Sequence, residues 1–407
     1  MFSPDPRRPS NRILRLSIVA LALAAAGPAR ATEFNIFPIV GGDSDVGLGF
    51  GQVSDLAKLG AVPEKYRWKV ESGAFITFKT QNGGIVIPYQ DYYLDLTIPE
   101  LTKSQRLRLE IRPSFTNETT LKYYGIGNAT PLPSADVNID DTEYKRMHPR
   151  LSTEARIRLV DRFYLFVGNI YTYSWLTVRP TSLLAQQQGQ GTPEVRALLG
   201  DFRPGGIEQL EAELQYDSRD NETVTSHGQF HSANVTVSPH VGDALRYGYE
   251  HLTLTSRFYG TPLPGLTISF RVVGDAFLGD PPFWELARFA DTPAIGGGKA
   301  VRGIPAQRYY GKVKLFENLE ARHDILPFTL KGKHMVLGIA AFLDGGRSWT
   351  ELGHSHPELD GTGLGLKYGV GGGLRLLQGQ TFIVRADIAW SPDAQPVGAY
   401  FAAGQIF

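Results

Sequence analysis

Arg302 and Asp344 are the two residues of this 407-residue chain whose types and settings best suit joint chemistry. Arg302 lies in Val301-Arg302-Gly303-Ile304, inside a glycine-rich stretch, 295–311. Asp344 lies in Phe342-Leu343-Asp344-Gly345-Gly346, one hairpin later. A guanidinium and a carboxylate enclosed together make a short, two-pronged, charge-assisted contact. Such a contact, where a loop residue and a strand residue make it, would be a lock rather than a reaction. Glu320 and Arg385 are candidate secondary partners.

Other chemistries fit less well. Gly296-Gly297-Gly298-Lys299 invites a phosphate-loop reading, but that motif needs Ser or Thr after the Lys and a Gly five before the last Gly. Ala300 and Pro293 stand there instead. His354, His356, Glu358 and Asp360 could ligate a metal. Two His one residue apart in a loop read as solvated, so no metal is expected. No Ser-His-Asp set stands out. With no cysteine, disulfides, thiolate ligands and a lipoprotein anchor are excluded. Neither an enzyme nor a cofactor is expected.

The elements that must position the lock are strands. Phe382, Val384, Ala386, Ile388 and Trp390 fall on one face of an alternating run, with Arg385 and Asp387 on the other. Leu107, Leu109 and Ile111 likewise oppose Arg106, Arg108, Glu110 and Arg112. In 151–159, Thr153, Ala155 and Ile157 oppose Glu154, Arg156 and Arg158; in 210–216 the polar set is Glu211, Glu213 and Gln215. Some polar faces are rich in Arg and others in Glu. That suits a narrow lumen where charges pair across the interior better than the wet face of a soluble sandwich. By the same alternation Asp344 shares a face with Phe342 and Ala340, opposite Leu343, Ala341 and Ile339. If the apolar face meets lipid, Asp344 points inward.

The fold expected is all-β: a transmembrane antiparallel barrel of about sixteen strands. The strands are read at 35–42, 46–53, 68–80, 84–97, 104–116, 143–159, 161–176, 207–216, 229–238, 245–257, 263–274, 312–324, 334–345, 363–376, 380–390 and 397–407. Long connections fall on one side, as outer loops do, and short ones on the other. The segment 54–67 breaks the pattern and reads as a periplasmic turn with a helical piece. Tyr92-Tyr93, Tyr123-Tyr124, Tyr171, Tyr173, Trp175, Tyr309-Tyr310 and Tyr400-Phe401 lie near strand ends, where rings suit the headgroup boundary.

Residues 1–31 read as a cleaved signal peptide: Arg7, Arg8, Arg12 and Arg15, then an apolar core from Leu16 to Ala26, then Ala29-Arg30-Ala31. The barrel domain is then 32–407, with 36 basic and 40 acidic side chains. That balance gives no reason to expect nucleic acid. No later apolar run approaches the roughly 18 residues of a transmembrane helix. Outer-membrane lipid is the expected surround; oligomeric state is not legible.

These motifs, in this order, resemble the bacterial surface antigen family, the outer-membrane protein 85 superfamily. Tyr123-Tyr124-Gly125-Ile126-Gly127-Asn128, Leu214-Gln215-Tyr216-Asp217-Ser218-Arg219-Asp220-Asn221 and Gly371-Gly372-Gly373-Leu374-Arg375 extend the resemblance. It implies that the sixth extracellular loop is folded inward, that Arg302 at its tip meets Asp344, and that Gly303 lets the tip turn. It further implies an assembly or translocation role in the outer membrane of a Gram-negative bacterium. The family usually has an aromatic after Arg-Gly, where Ile304 stands here, which puts stacking of the tip in question. Only Thr32 and Glu33 separate the cleavage site from the first strand, so the chain reads as a barrel-only member lacking polypeptide-transport-associated domains. It would therefore lean on a periplasmic or lipoprotein partner. A weak seam is expected between the first strand, short and carrying Gly41 and Gly42, and the last, which carries Gly404. Phe407 is expected at the periplasmic interface as a C-terminal assembly mark. A passive pore and an anchoring barrel are the rival readings.

Overall fold

The computed structural model describes residues 32–59, 66–102, 107–131, 139–289, 292–293, 298–330, 332–379, 382–394 and 397–407. The signal-peptide reading of 1–31 lies outside them, as do Arg106, Gly296 and Gly297.

Sixteen antiparallel strands make the wall. They are β1 (Thr32–Asp43), β2 (Gly47–Leu59), β3 (Tyr66–Gln81), β4 (Tyr89–Ile98), β5 (Leu107–Lys122), β6 (Glu143–Val160), β7 (Phe163–Val178) and β8 (Gly205–Asp217). The second half comprises β9 (Gly228–Ser238), β10 (Tyr249–Leu263), β11 (Leu266–Gly279), β12 (Val313–Leu330), β13 (Lys333–Trp349), β14 (Lys367–Gln378), β15 (Phe382–Trp390) and β16 (Gly398–Ala403). A short extension, Gly84–Val86, also pairs with β3. It is cut from β4 because Pro88 has no amide to donate to a ladder. Each strand pairs with its neighbour in the chain, and β16 returns to β1. Among the described residues no helix is long and apolar enough to cross a membrane, which says nothing against crossing by strands.

Alternation dictates which face each side chain takes. Along β15, Ile388 and Trp390 face out while Arg385 and Asp387 are buried. Along β13, Ile339 and Leu343 face out while Phe342 and Asp344 face in. A continuous outward band of Leu, Val, Ile and Phe would be anomalous in water and is what lipid requires. Rings close one edge of that band. Phe163, Tyr216, His231, Phe258 and Phe270, on five consecutive strands, follow one another at 5.0, 6.1, 5.2 and 6.3 Å between centroids. Tyr171 and Trp175 face out toward the opposite edge.

Several expected aromatic positions are corrected. Tyr123, Tyr309, Tyr310 and Tyr400 are buried inside the barrel. Tyr93 also turns inward, where its hydroxyl donates to Glu71 at 2.9 Å. Strand-end position alone does not distinguish the two faces; the pleat does. The reading of 54–67 is corrected at its two ends: Ser54 to Leu59 continue β2, and β3 begins at Tyr66, while 60–65 lie outside the described residues. Their pairing runs from Leu48↔Phe78 to Leu59↔Tyr66.

The outer mouth is filled. Helices α1 (Leu183–Gln190) and α2 (Pro193–Leu199) stand in the fourth outer connection. Ser182 and Thr192 cap them, accepting the amides of Ala185 and Val195. Leu184, Val195 and Leu199 pack with Tyr123, Ile126, Phe283, Trp284 and Tyr310 into one buried apolar cluster. The lower lumen is different. Lys69–Glu71 and Arg112–Asp95 are ion pairs at 3.0 and 4.0 Å whose side chains remain partly exposed. The barrel is thus a cup, closed above and wet below.

Candidate functional site

In the sixth outer connection, 280–312, the described stretch 298–311 lies inside the barrel with Arg302 at its tip. The strands around it each offer a row of inward groups. Asn318, Glu320 and Arg322 come from β12, Phe342 and Asp344 from β13, and Arg375 from β14. Arg385 and Asp387 come from β15 and Tyr400 from β16.

Arg302 and Asp344 are both 0% exposed. Arg302 Nε lies 2.7 Å from Asp344 Oδ2 and Nη2 lies 3.0 Å from Oδ1. The Arg302 amide adds a third bond to Oδ2 at 3.1 Å. Nη1 reaches Glu320 at 2.7 Å and Asp387 at 3.2 Å. The Phe342 ring centroid lies 3.3 Å from the guanidinium carbon, so an aromatic face covers the cation. Around this centre Arg322 binds Glu320, Arg375 binds Glu320 and Asp387, and Arg385 binds Asp387. Four guanidiniums therefore share three carboxylates in a dry enclosure. Burial works against the charge on Arg302, but Asp344, then Glu320 and Asp387, outweigh it and raise its pKa.

Of the sequence candidates, Glu320 contacts Arg302 directly. Arg385 does so through Asp387, and its Nη2 donates to the Gly298 carbonyl of the tip loop at 2.8 Å. Gly346 lies on β13 two residues past Asp344, paired with Lys367. Arg322 escaped the sequence reading, and Asp387, Arg375 and Tyr400, noted there for parity, motif and strand-end position, were not read as parts of this network. The shared parity of Arg385 and Asp387 was the available signal for one of them. Ile304 does not leave the tip loose: it is buried with Ala300, Val301, Tyr309 and Phe316, and Phe342 supplies the aromatic contact from the wall.

Two glycines matter here. Gly303 has φ +92° and donates its amide to Tyr400 Oη at 2.8 Å. Gly369, on β14, lies against the tip: a Cβ there would fall 1.8 Å from the Arg302 carbonyl oxygen. Backbone cannot yield as a side chain can, so Gly369→Ala should push the tip off the wall. The expected loss is about 1–3 kcal/mol, as for overpacking, measured as a lower urea midpoint. An unchanged midpoint would show that the tip does not need this wall.

The other quoted motifs take structural places. Ile126 bridges Tyr310, and Asn128 Nδ2 donates to the Gly365 carbonyl at 2.7 Å, so 123–128 braces the tip loop against the seventh outer connection. Asp217 and Arg219 pair at 2.7 Å in the turn after β8. His356 lies 3.5 Å from Glu351, while Asp360 accepts from Thr350 and the His356 amide. Among the described residues no group of three or more metal-ligating side chains is brought together.

The seam is the second feature. β1 and β16 share only two residue pairs, Gly42↔Phe401 and Asp43↔Tyr400, with Ser44 N donating to the Ala399 carbonyl just beyond. The next shortest pairing in the wall, β15 with β16, has six. The short partner is β16, not β1 as expected: β1 pairs along its whole length with β2. Thr32 to Gly41 therefore present one edge with no strand partner among the described residues. Phe34, Ile36 and Val40 on that stretch all face out.

Phe407 does not lie at the periplasmic interface where it was expected. β16 stops at Ala403, Gly404 adopts φ +82°, and the tail turns into the lumen. Phe407 is buried, 4.9 Å from the Arg271 guanidinium carbon and 5.4 Å from that of Arg322. The carbonyls of Ile406 and Phe407 accept from Arg271 and Arg322, both at 3.2 Å. Gly404 tolerates a turn that no other residue would take cheaply, which frees the tail from the lipid interface. Phe407→Ala should thus lower barrel stability by up to about 3 kcal/mol, the lower end for a buried Phe. Urea titration of the folded barrel reads that loss; reduced delivery to the membrane with unaltered stability would instead favour the assembly-mark reading.

No family model matches the sequence, and no curated protein matches it. Solved structures do. The barrel is similar to BamA from Haemophilus ducreyi lacking POTRA domains 1-3, at 12% identity and a TM-score of 0.62, covering 92% of this chain and 70% of that one. It is similar to CdiB from Escherichia coli at 10% identity and a TM-score of 0.57, covering 93% and 64%. CdiB from Acinetobacter baumannii follows at 10% and 0.52, covering 92% and 59%. At such identities the likeness establishes the fold alone. The chain spans less than two thirds of either CdiB.

Proposed function

We propose that this chain is a Gram-negative outer-membrane barrel of the outer-membrane protein 85 superfamily that assembles or translocates other polypeptides. It does so without enzymatic chemistry and with a separate periplasmic or lipid-anchored partner. The observation that carries this reading is the open edge of β1 beside a seam of two residue pairs. An unpaired strand edge is a ready template for another strand. Main-chain bonds give such an added strand its affinity. They give little selectivity, which is why a second protein that chooses the client belongs to the proposal.

The cup shape supports the same reading. A chain entering from the wet lower lumen meets the packed outer cluster and the Arg302 lock above it. The way out is sideways, through the seam. A passive pore is the rival, and the filled outer mouth counts against it.

Purified protein in liposomes, offered an unfolded outer-membrane client, decides between them. Faster client insertion than in liposomes holding a simple porin supports assembly. No acceleration, together with steady conductance, sustains the pore.

A further inference from the structure

We propose that the sixth-loop tip is a clasp across the seam, holding the β1–β2 turn on one side and β16 on the other, so that the barrel opens laterally only when one hold is released. This deepens the function proposed above by naming what regulates its gate.

Two hydrogen bonds define the clasp. Gly303 N–H donates to Tyr400 Oη on β16 at 2.8 Å. Three residues on, Ala306 N–H donates to Asp45 Oδ2 in the β1–β2 turn at 2.9 Å. Tyr400 is itself half of the last seam pair, opposite Asp43. The stretch between the two donors contains Pro305, whose ring fixes φ. A stretch this short has little slack, so strands parting by one strand spacing of about 4.8 Å strain one of its two hydrogen bonds.

The two sides are held unequally. On the β16 side the loop is also tied by Arg385 to the Gly298 carbonyl and by the whole Arg302 network. Arg271 joins the Lys299 carbonyl to the Ile406 carbonyl of the tail, at 2.6 and 3.2 Å. On the β1 side Asp45 is the hold beside the seam itself, while Gln307 and Arg308 tie the loop farther round the wall, to the Lys122 amide and Thr130. Its turn is steadied by Lys79 Nζ, which donates to the carbonyls of Ser44 and Asp45 at 2.9 and 3.0 Å. Asp45 is therefore the catch that lets go first.

The catch is proton-sensitive. Asp45 is half-buried, and its desolvation, then the neighbouring Asp43, push its carboxyl up to about 7. The Ala306 amide, Lys79 and Lys122 pull the other way. The phenols of Tyr124 and Tyr400 also face it, and Arg385 reaches Asp43 beside it. An opened seam hydrates Asp45 and returns it toward 3.8, its ordinary value. The closed state thus binds the proton more tightly. Closure is favoured as pH falls from about 7 toward 4 and weakens as pH rises through 7.

The chain has no cysteine of its own, so two introduced cysteines carry spin labels without background. Ile36 on β1 and Ile388 on β15 face out on opposite sides of the seam. Their distance distribution in bilayers, with no client present, reads the open fraction. Asp45→Ala and Tyr400→Phe should each raise that fraction roughly fivefold, the shift expected from one hydrogen bond of about 1 kcal/mol. Asp45→Asn keeps an acceptor for Ala306, so it should stay closed and lose the wild-type widening between pH 5.5 and 8.5. Heat-shifted migration in gels confirms that each variant is folded. If either Asp45→Ala or Tyr400→Phe keeps the wild-type distribution, the clasp is wrong. Because no client is involved, a wider seam with unchanged client insertion would count against the assembly function and leave the clasp standing.

Discussion

Arg302→Ala should cost this barrel on the order of 3–5 kcal/mol, the penalty of leaving a buried charge without its partner, whereas Asp344→Asn should cost distinctly less. The asymmetry follows from who else is present. Without Arg302, Glu320 keeps Arg322 and Arg375, and Asp387 keeps Arg375 and Arg385. Asp344 has no second cation in ion-pair contact among the described residues, so it alone is stranded. Without the Asp344 charge, Arg302 still holds Glu320 and Asp387 and still lies on Phe342. An exposed pair would be worth about 0–1 kcal/mol in either direction. Full enclosure of both side chains decides for the larger figure. The double variant Arg302→Ala/Asp344→Ala should recover part of the single loss, because the stranded carboxylate is gone. Urea midpoints of the three variants in detergent measure this. Single-channel recording should show raised conductance in Arg302→Ala as the tip loosens. Equal, small losses for both single variants would mean that the enclosure is wet in solution.

The wall half of the lock was legible in the sequence because strand parity is a local property, whereas the place of Arg302 came only from the family resemblance. Leu343 and Ile339 face out, so Asp344 must face in, and Arg385 with Asp387 obeys the same rule. The wall's strand number was readable for that reason too. What stayed hidden depends on contacts between distant parts of the chain. Tyr309 and Tyr310 look like interface rings until the loop carrying them folds into the barrel. Phe407 looks like the end of a strand until Gly404 turns it inward. Residues 54–59 look like a turn because Ser54, Asp55 and Lys58 are polar. Yet Ser54 meets Ser72 at 2.7 Å and Asp55 accepts from Asn35 across the sheet, so pairing with β1 and β3 overrides local composition. The catch at Asp45 was invisible for the same reason: its partner, Ala306, is 261 residues away.

Closing the seam covalently should abolish activity while leaving the barrel intact. The register Gly42↔Phe401, continued two residues toward the periplasm, brings Val40 opposite Ala403. Neither residue belongs to the lock or the clasp, and both lie on the outward face. A disulfide needs Cα atoms about 4.4–6.8 Å apart, a spacing that paired strands provide. Val40→Cys/Ala403→Cys should therefore oxidise only when the strands draw together beyond their two existing pairs. Once formed, the bond removes the free edge that a client strand would use. Each main-chain bond at that edge contributes only about 0.5–1.5 kcal/mol net, so a client needs many of them in a row, and blocking the start blocks the rest. Oxidised protein should insert clients at the background rate of empty liposomes, reducing agent should restore the activity, and migration in gels should report a folded barrel throughout. Full activity in the oxidised form would remove gating at this seam and with it the argument for lateral assembly. The free stretch from Thr32 to Gly41 would then be an edge that lipid and the β2 ladder alone keep ordered.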